Sequence, residues 1–236
     1  MEGAKRKARQ LAAKVRQQVK ELALEVAQMS DLTRQVVAQT RAQVLKGNTH
    51  YPDKVFSVFE THTEAVCKGK AGKPTEFGKV VKIQEAEHQL ITDYQVCPER
   101  VPDQALWGPP PERHEELSGR PPELATADAG FASAANERQA QERGVKRVAL
   151  PRRGRGKDDP ARPTPRALWV ERARHWRTGC EGRISALKRR HGLRRCRYKG
   201  LQGMQRWVGM AVIANNLPAL GRAAPPGKKR RAVRTE

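Results

Sequence analysis

The chain has 236 residues, a formal net charge of +22 and a pI near 10.6. So basic a polymer seeks a polyanion, and nucleic acid is the first candidate, because neutralised phosphates release counterions and drive association. No apolar run approaches the roughly 20 residues of a spanning helix. The start, MEGAKRKARQ, lacks the apolar core of a signal peptide, so the expected location is cytoplasmic. The four cysteines (Cys67, Cys97, Cys180, Cys196) form no C-x-x-C pair and have no histidine at zinc-ligand spacing. They read as reduced thiols, not as a zinc site.

Leu11, Val15, Val19, Leu22, Val26 and Met29 recur at steps of three or four, which predicts an amphipathic helix. Ser30 or Asp31 would cap a second helix carried by Leu32, Val36 and Val44. The expectation for residues 1–46 is a helical extension whose apolar face packs on the rest of the chain or on a second copy. Gly47, Asn48 and Pro52 break the pattern. KVFSVFE (54–60) reads as a strand ending at Glu60, and CKGKAGKPTEFG as a basic, glycine-rich loop. GKVVKIQE and QLITDYQVC read as two further strands, a hairpin turning near Ala86 and Glu87.

Residues 98–122 are rich in proline, and the triplet Pro109-Pro110-Pro111 argues against a full helix there. A short helix fits between Asp103 and Trp107. ELATA (123–127) reads as a strand entering a turn at Asp128-Ala129-Gly130. Ser133 is placed to cap a helix running to Arg143, with Gly144 just past its end. VKRVAL (145–150) is another strand, and the following PRRGRGKDDPARPTP has no core-forming residues. Helices follow over 167–190 and 201–217, the second burying Met204, Trp207, Val208, Ala211 and Val212 and ending at Pro218. Residues 218–236 are expected to be a disordered basic tail.

Strands interleaved with helices, with acids at strand ends, predict an α/β fold. The layout is that of a ribonuclease H-like mixed sheet flanked by helices, a step taken by analogy. Phosphoryl transfer on DNA commonly uses two Mg²⁺ ions, which take carboxylate oxygens converging from different elements. Three acids fit that demand. Glu60 ends the first strand, Asp128 ends the fourth, and Glu181 stands alone among the lysines and arginines of 177–200. On a helix, Arg177, Glu181 and Lys188 share one face. Composition alone leaves Glu181 equally readable as a salt-bridge partner.

Two blocks carry a resemblance: TADAGFASAANERQAQERGVKRVALPRRGRG, and HWRTGCEGRISALKRRHGLRRCRYKGLQGMQRWVGMAVIANNL. They resemble the C-terminal catalytic half of bacterial DDE-type insertion-sequence transposases, and SVFETHTEAVCKGKAGKPTEFGKVVKIQEAE resembles the earlier part of the same domain. The resemblance implies a catalytic domain over residues 54–217 with a ribonuclease H-like fold. It implies a transposase that cuts transposon ends and joins them to target DNA, with Mg²⁺ or Mn²⁺ held by acidic residues. Asp128 in TADAGF matches the second acid and Glu181 the last. Arg177, Glu181 and Lys188 meet the related Arg-Glu-Lys signature, although Arg174 stands where that signature can carry tyrosine. Glu60 takes the place of the first acid, ahead of Asp103 and Glu64.

The implied partner is double-stranded DNA, as transposon ends and target, with a homodimer as a further expectation and nucleoid association as the location. The expected phosphate contacts are Lys68, Lys70 and Lys73, then Arg152, Arg153 and Arg155, and then Arg177, Lys188, Arg189, Arg190, Arg194 and Arg195. The short segment before the first strand and the weak pattern of 98–122 point to an N-terminally truncated copy. The alternative function is an inactive remnant that binds DNA non-specifically.

Overall fold

The computed structural model describes residues 2–70, 73–151 and 168–223, and their side chains except at 68–70, 73–74 and 109–110. The chain divides into two compact units, Met1–Gly78 and Lys79–Glu236.

In the first unit, α1 (Glu2–Lys46) is one uninterrupted helix with no buried residue. Two helices were expected, but the capping residues are absorbed into the helix. Asp31 accepts from Arg34 at 2.6 Å, and the Thr33 hydroxyl donates to the Met29 carbonyl at 2.7 Å. With neither Gly nor Pro between Ala4 and Lys46, nothing forces a break. The helix stops at Gly47, whose φ of 63° suits a residue without a Cβ.

The expected strand over 54–60 does not form. The Gln39 side chain takes the backbone of Val55, donating to its carbonyl and accepting from its N–H, both at 2.9 Å. That segment therefore lies along α1 and forms no strand. The expected basic loop instead contains a hairpin. β1 (Glu64–Lys70) pairs antiparallel with β2 (Lys73–Gly78), Cys67 opposite Thr75. Lysine and glycine content concealed the strand formers Val66, Cys67, Thr75 and Phe77 on its two arms.

The second unit opens with the predicted hairpin, β3 (Val81–Glu85) against β4 (Ile91–Val96), with Ile83 opposite Tyr94. A 3-10 turn at Asp103–Leu106 follows where a short helix was expected. Next comes α2 (Pro109–Ser118), a helix where the proline triplet argued against one. Those prolines occupy its first turn, where backbone N–H groups have no partner within the helix and a fixed φ is already helical.

β5 (Leu124–Thr126), α3 (Ala134–Glu142) and β6 (Arg147–Ala149) form a strand–helix–strand unit with parallel strands. Ser133 caps α3 by accepting from the Asn136 N–H at 3.0 Å, and Gly144 turns the chain after it with φ 84°. α4 (Leu168–Arg190) packs on β5 and β6. α5 (Gly200–Ala223) runs through Pro218, where an end was expected. So near the C-terminus the proline leaves only the Ala214 carbonyl without its helical donor.

The fold is mixed α/β. The described strands form three two-stranded pairs, two antiparallel and one parallel, where one mixed sheet was expected. Among the described residues, no helix is long and apolar enough to cross a membrane.

Two apolar clusters hold the second unit. Ile91, Val96, Leu187, Val208, Ala211 and Val212 join the β3–β4 hairpin to α4 and α5. Trp107, Ala140, Val145 and Leu150 hold α3 to the parallel strands. Val208, Ala211 and Val212 are buried as expected, while Met204 and Trp207 are half-buried. Asn216 completes the first junction. Its amide accepts from the Ile91 N–H at 3.0 Å and donates to the Ile91 carbonyl at 2.7 Å, standing in for a neighbouring strand.

Two substitutions test this packing by urea denaturation followed by circular dichroism. Leu187→Ala removes a side chain with 0% exposure and should cost ~2–5 kcal/mol. Asn216→Ala should cost ~1–3 kcal/mol by stranding the polar groups of Ile91.

Candidate metal and DNA-binding site

Asp128 is set by the corner that follows β5. Its carbonyl accepts from the Phe131 N–H at 3.0 Å, closing the 3-10 turn Ala129–Phe131. Asn136 braces that turn by donating to the Phe131 carbonyl at 2.8 Å and to the Gln104 carbonyl at 3.0 Å. Gln104 donates to the Ala132 carbonyl at 3.2 Å, and the Trp107 indole to the Asn136 carbonyl at 3.0 Å. Asp103 packs so closely on Gly130 that a Cβ there would collide with its carboxylate. The corner is therefore held from two sides.

Glu181 comes from α4. Ala173, Trp176, Cys180, Arg183 and Leu187 form the inward stripe of this helix, all buried or half-buried. Arg177, Glu181 and Lys188 lie one residue further round, at the edge of that stripe. Arg177 Nη1 donates to Asp128 Oδ1 at 3.2 Å and to Glu181 Oε1 at 3.4 Å. One nitrogen thus gathers both carboxylates, and the two oxygens can be no further apart than those two contacts combined. Asp128 and Glu181 are 57% and 60% exposed, whereas Arg177 is 29% exposed. Glu181 is thus an accessible carboxylate that shares its arginine with Asp128.

Glu60 belongs to the other unit, in the turn before β1. Its N–H donates to the Ser57 hydroxyl at 3.0 Å, and its carboxylate lies 3.4 Å from His62 Nδ1. Among the described residues, no three His, Cys, Asp or Glu side chains cluster as a metal site.

The sequence reading passed over Glu85. This residue ends β3, with a side chain only 6% exposed, and accepts from Arg183 Nε at 3.4 Å. Burial raises its pKa, while the charge and hydrogen bond of Arg183 and a hydrogen bond from Cys180 pull it back. Burial likewise pushes the Cys180 thiol up to about 12, with Glu85 and Asp128 adding to the rise and Arg183 opposing it. Glu85, Cys180, Arg183 and Asp128 therefore share one electrostatic neighbourhood. An acid at the end of a strand was the available signal, but it was credited to Glu60.

Of the expected phosphate contacts, Arg189, Arg190, Arg194 and Arg195 are exposed at the end of α4 and in the turn after it. Lys188 is half-buried. The turn is fixed by Gly192, whose carbonyl accepts from the Trp207 indole at 3.1 Å. Beside it a groove of about 930 Å³ is lined by Arg197, Lys199, Arg206, Tyr94 and Tyr198 among others. Arg206 had not been anticipated. The side chains of Lys68, Lys70 and Lys73, and all of Arg152, Arg153 and Arg155, lie outside the described residues.

Residues 156–220 match a family model described as a transposase DDE domain. The match includes Arg177, Glu181 and Lys188 and supports a transposase of the DDE type. No curated protein and no solved structure matches the chain.

All four cysteines are free thiols. At pH 8, a limiting amount of iodoacetamide should label exposed Cys67 well before Cys180, whose thiolate is suppressed. Peptide mass spectrometry reads the order, and equal labelling of the two would contradict the burial assigned to Cys180.

Proposed function

We propose that the chain is a DNA transposase that cleaves and joins the strands of an insertion sequence in a metal-dependent reaction. Residues 54–217 would form its catalytic domain and residues 1–46 a helical extension. The observation that carries this reading is the shared arginine, because Arg177 brings Asp128 and Glu181 to a common point. The family match over 156–220 supports it independently.

The donor set suits a hard divalent cation. Both carboxylates are exposed and hold Arg177 through surface ion pairs, which are weak. Carboxylate oxygens are the ligands that Mg²⁺ or Mn²⁺ accepts. A cation bound there would supply charge stabilisation at phosphoryl oxygens and a more acidic bound water. The chain's own residues would do the rest. Asp128 and Glu181 would hold the cation, and Arg177, released from them, would turn to a DNA phosphate. Lys188, Arg189, Arg190, Arg194 and Arg195 would seat the duplex, joined by Lys68, Lys70, Lys73, Arg152, Arg153 and Arg155. All of these contacts fix position, not base sequence.

Glu60 is proposed as the third ligand on the strength of the resemblance. Glu85 competes for that role because it shares a unit and an electrostatic neighbourhood with Asp128.

A second reading, a DNA-binding remnant without catalysis, is favoured by one fact. Arg177 already supplies the positive charge that the two acids require. The test is cleavage of DNA carrying the insertion-sequence ends, with Mg²⁺ and then Mn²⁺. Asp128→Asn and Glu181→Gln should each reduce cleavage at least ~100-fold while leaving the salt-dependent DNA binding measured without divalent metal largely intact. Glu60→Gln and Glu85→Gln, run in parallel, assign the third carboxylate to whichever abolishes cleavage. Absence of cleavage by the unsubstituted chain with either metal would leave the remnant reading standing.

A further inference from the structure

The amino-terminal half of α1 presents an apolar stripe to solvent. Val15, Val19, Leu22 and Val26 are 49%, 60%, 60% and 64% exposed, and Met29 is 41% exposed. From Val15 to Met29 the stripe alternates steps of four and three, an alternation that Ala12 and Ala8 continue while exposed Leu11 lies on its flank. That is a 3.5-residue repeat, the period at which one helix keeps a continuous seam against another. A helix laid on a sheet or on a globular surface needs no such strict alternation. The carboxy-terminal half is partly covered on one face, where Gln35 and Gln39 bond the backbone of Asp53 and Val55, while Val44 and Leu45 beyond it stay exposed.

Charge along the helix selects the partner and its direction. Between Gly3 and Lys20 there are seven cations and no carboxylate: Lys5, Arg6, Lys7, Arg9, Lys14, Arg16 and Lys20. From Glu21 to Thr33 the pattern inverts, with Glu21, Glu25 and Asp31 and no cation. Two copies laid parallel would set seven cations against seven. Two copies laid antiparallel about the Lys20–Glu21 bond set the acidic stretch of each beside the basic stretch of the other. In that register the seam closes as well. Val19 faces Leu22 of the second copy, Val15 faces Val26, and Ala12 faces Met29, small against large.

We infer that α1 is a dimerisation helix, pairing antiparallel with α1 of a second copy of this chain about the Lys20–Glu21 bond. The inference is independent of the proposed catalysis. The apolar seam supplies the attraction, and the inverted charge pattern fixes the direction. The stripe is then covered as an apolar helix face in water should be.

Sedimentation velocity on the full chain tests the association, and directed cross-linking tests the register. The unsubstituted chain should sediment as a dimer at micromolar concentration. Val19→Glu with Val26→Glu should weaken the dimer at least ~100-fold, because carboxylates would be buried in the seam. Circular dichroism and the urea transition of the second unit should show that the variant remains folded. For the register, chains carrying Ala12→Cys are mixed with chains carrying Met29→Cys in a background with the four native cysteines replaced by serine. Oxidation should give the mixed disulfide in preference to either homodimer. A monomeric unsubstituted chain would overturn the inference, as would a dimer indifferent to the two glutamates. Preferential 12–12 and 29–29 cross-links would also overturn it, by showing a parallel pair.

Discussion

The register of α4 is the constraint on which the second unit depends. Ala173, Trp176, Cys180, Arg183 and Leu187 descend its inward face, and Leu187 at their end is fully buried in the first core cluster. Once that stripe is committed to packing, Arg177, Glu181 and Lys188 have no choice of direction, because they sit about 100° further round the same helix. Packing energy from the core thus aims the charged residues. A helix rotated by one residue would bury Glu181 and lose Leu187 from the core, so stability and the position of the acid are selected together.

The neighbouring carboxylates show how environment divides residues of one chemical type. Asp128 and Glu181 are mostly exposed and share one arginine. Glu85, close by, is nearly enclosed and holds Arg183 to itself. Burial favours its protonated form and Arg183 opposes that. Replacing the exposed pair's arginine by another cation disturbs little packing. Separating Glu85 from Arg183 would leave a nearly enclosed carboxylate without its counter-charge, which is far more costly. The accessible pair is accordingly the readier exchange site, and Glu85 would act as a third ligand only by releasing Arg183.

The parts of this fold that were legible in the sequence were those governed by local chemistry. The β3–β4 hairpin, the Ser133 cap and the Gly144 exit each follow from a few adjacent or helically spaced residues. The errors arose where a local rule met a distant partner or was applied at the wrong position. Val55 looked like strand, but the Gln39 side chain captured its backbone. Ser30 and Asp31 looked like caps, but a continuous run of helix formers carried the chain past them. Pro109–Pro111 and Pro218 looked like barriers, yet prolines at a first turn or near a last turn remove almost nothing that the helix uses. Glu85 ends a strand legible in the sequence, but what distinguishes it, Arg183 and Cys180, lies nearly a hundred residues away.

Arg177 connects the two readings of the site. Without a cation nearby, it is the counter-charge that lets Asp128 and Glu181 stand together on a helix-and-turn junction. Under the proposed chemistry a divalent cation takes over that task and leaves the guanidinium unpaired, at the edge of a surface already crowded with arginines. An unpaired guanidinium there seeks a phosphate, and a phosphate is also what completes the coordination of Mg²⁺. Cation and DNA would then favour each other's binding through a single side chain. In the remnant reading the same arginine never lets go, and DNA is held by the remaining cations alone. The two readings thus differ in whether metal strengthens DNA binding, a difference that exists before any bond is cut.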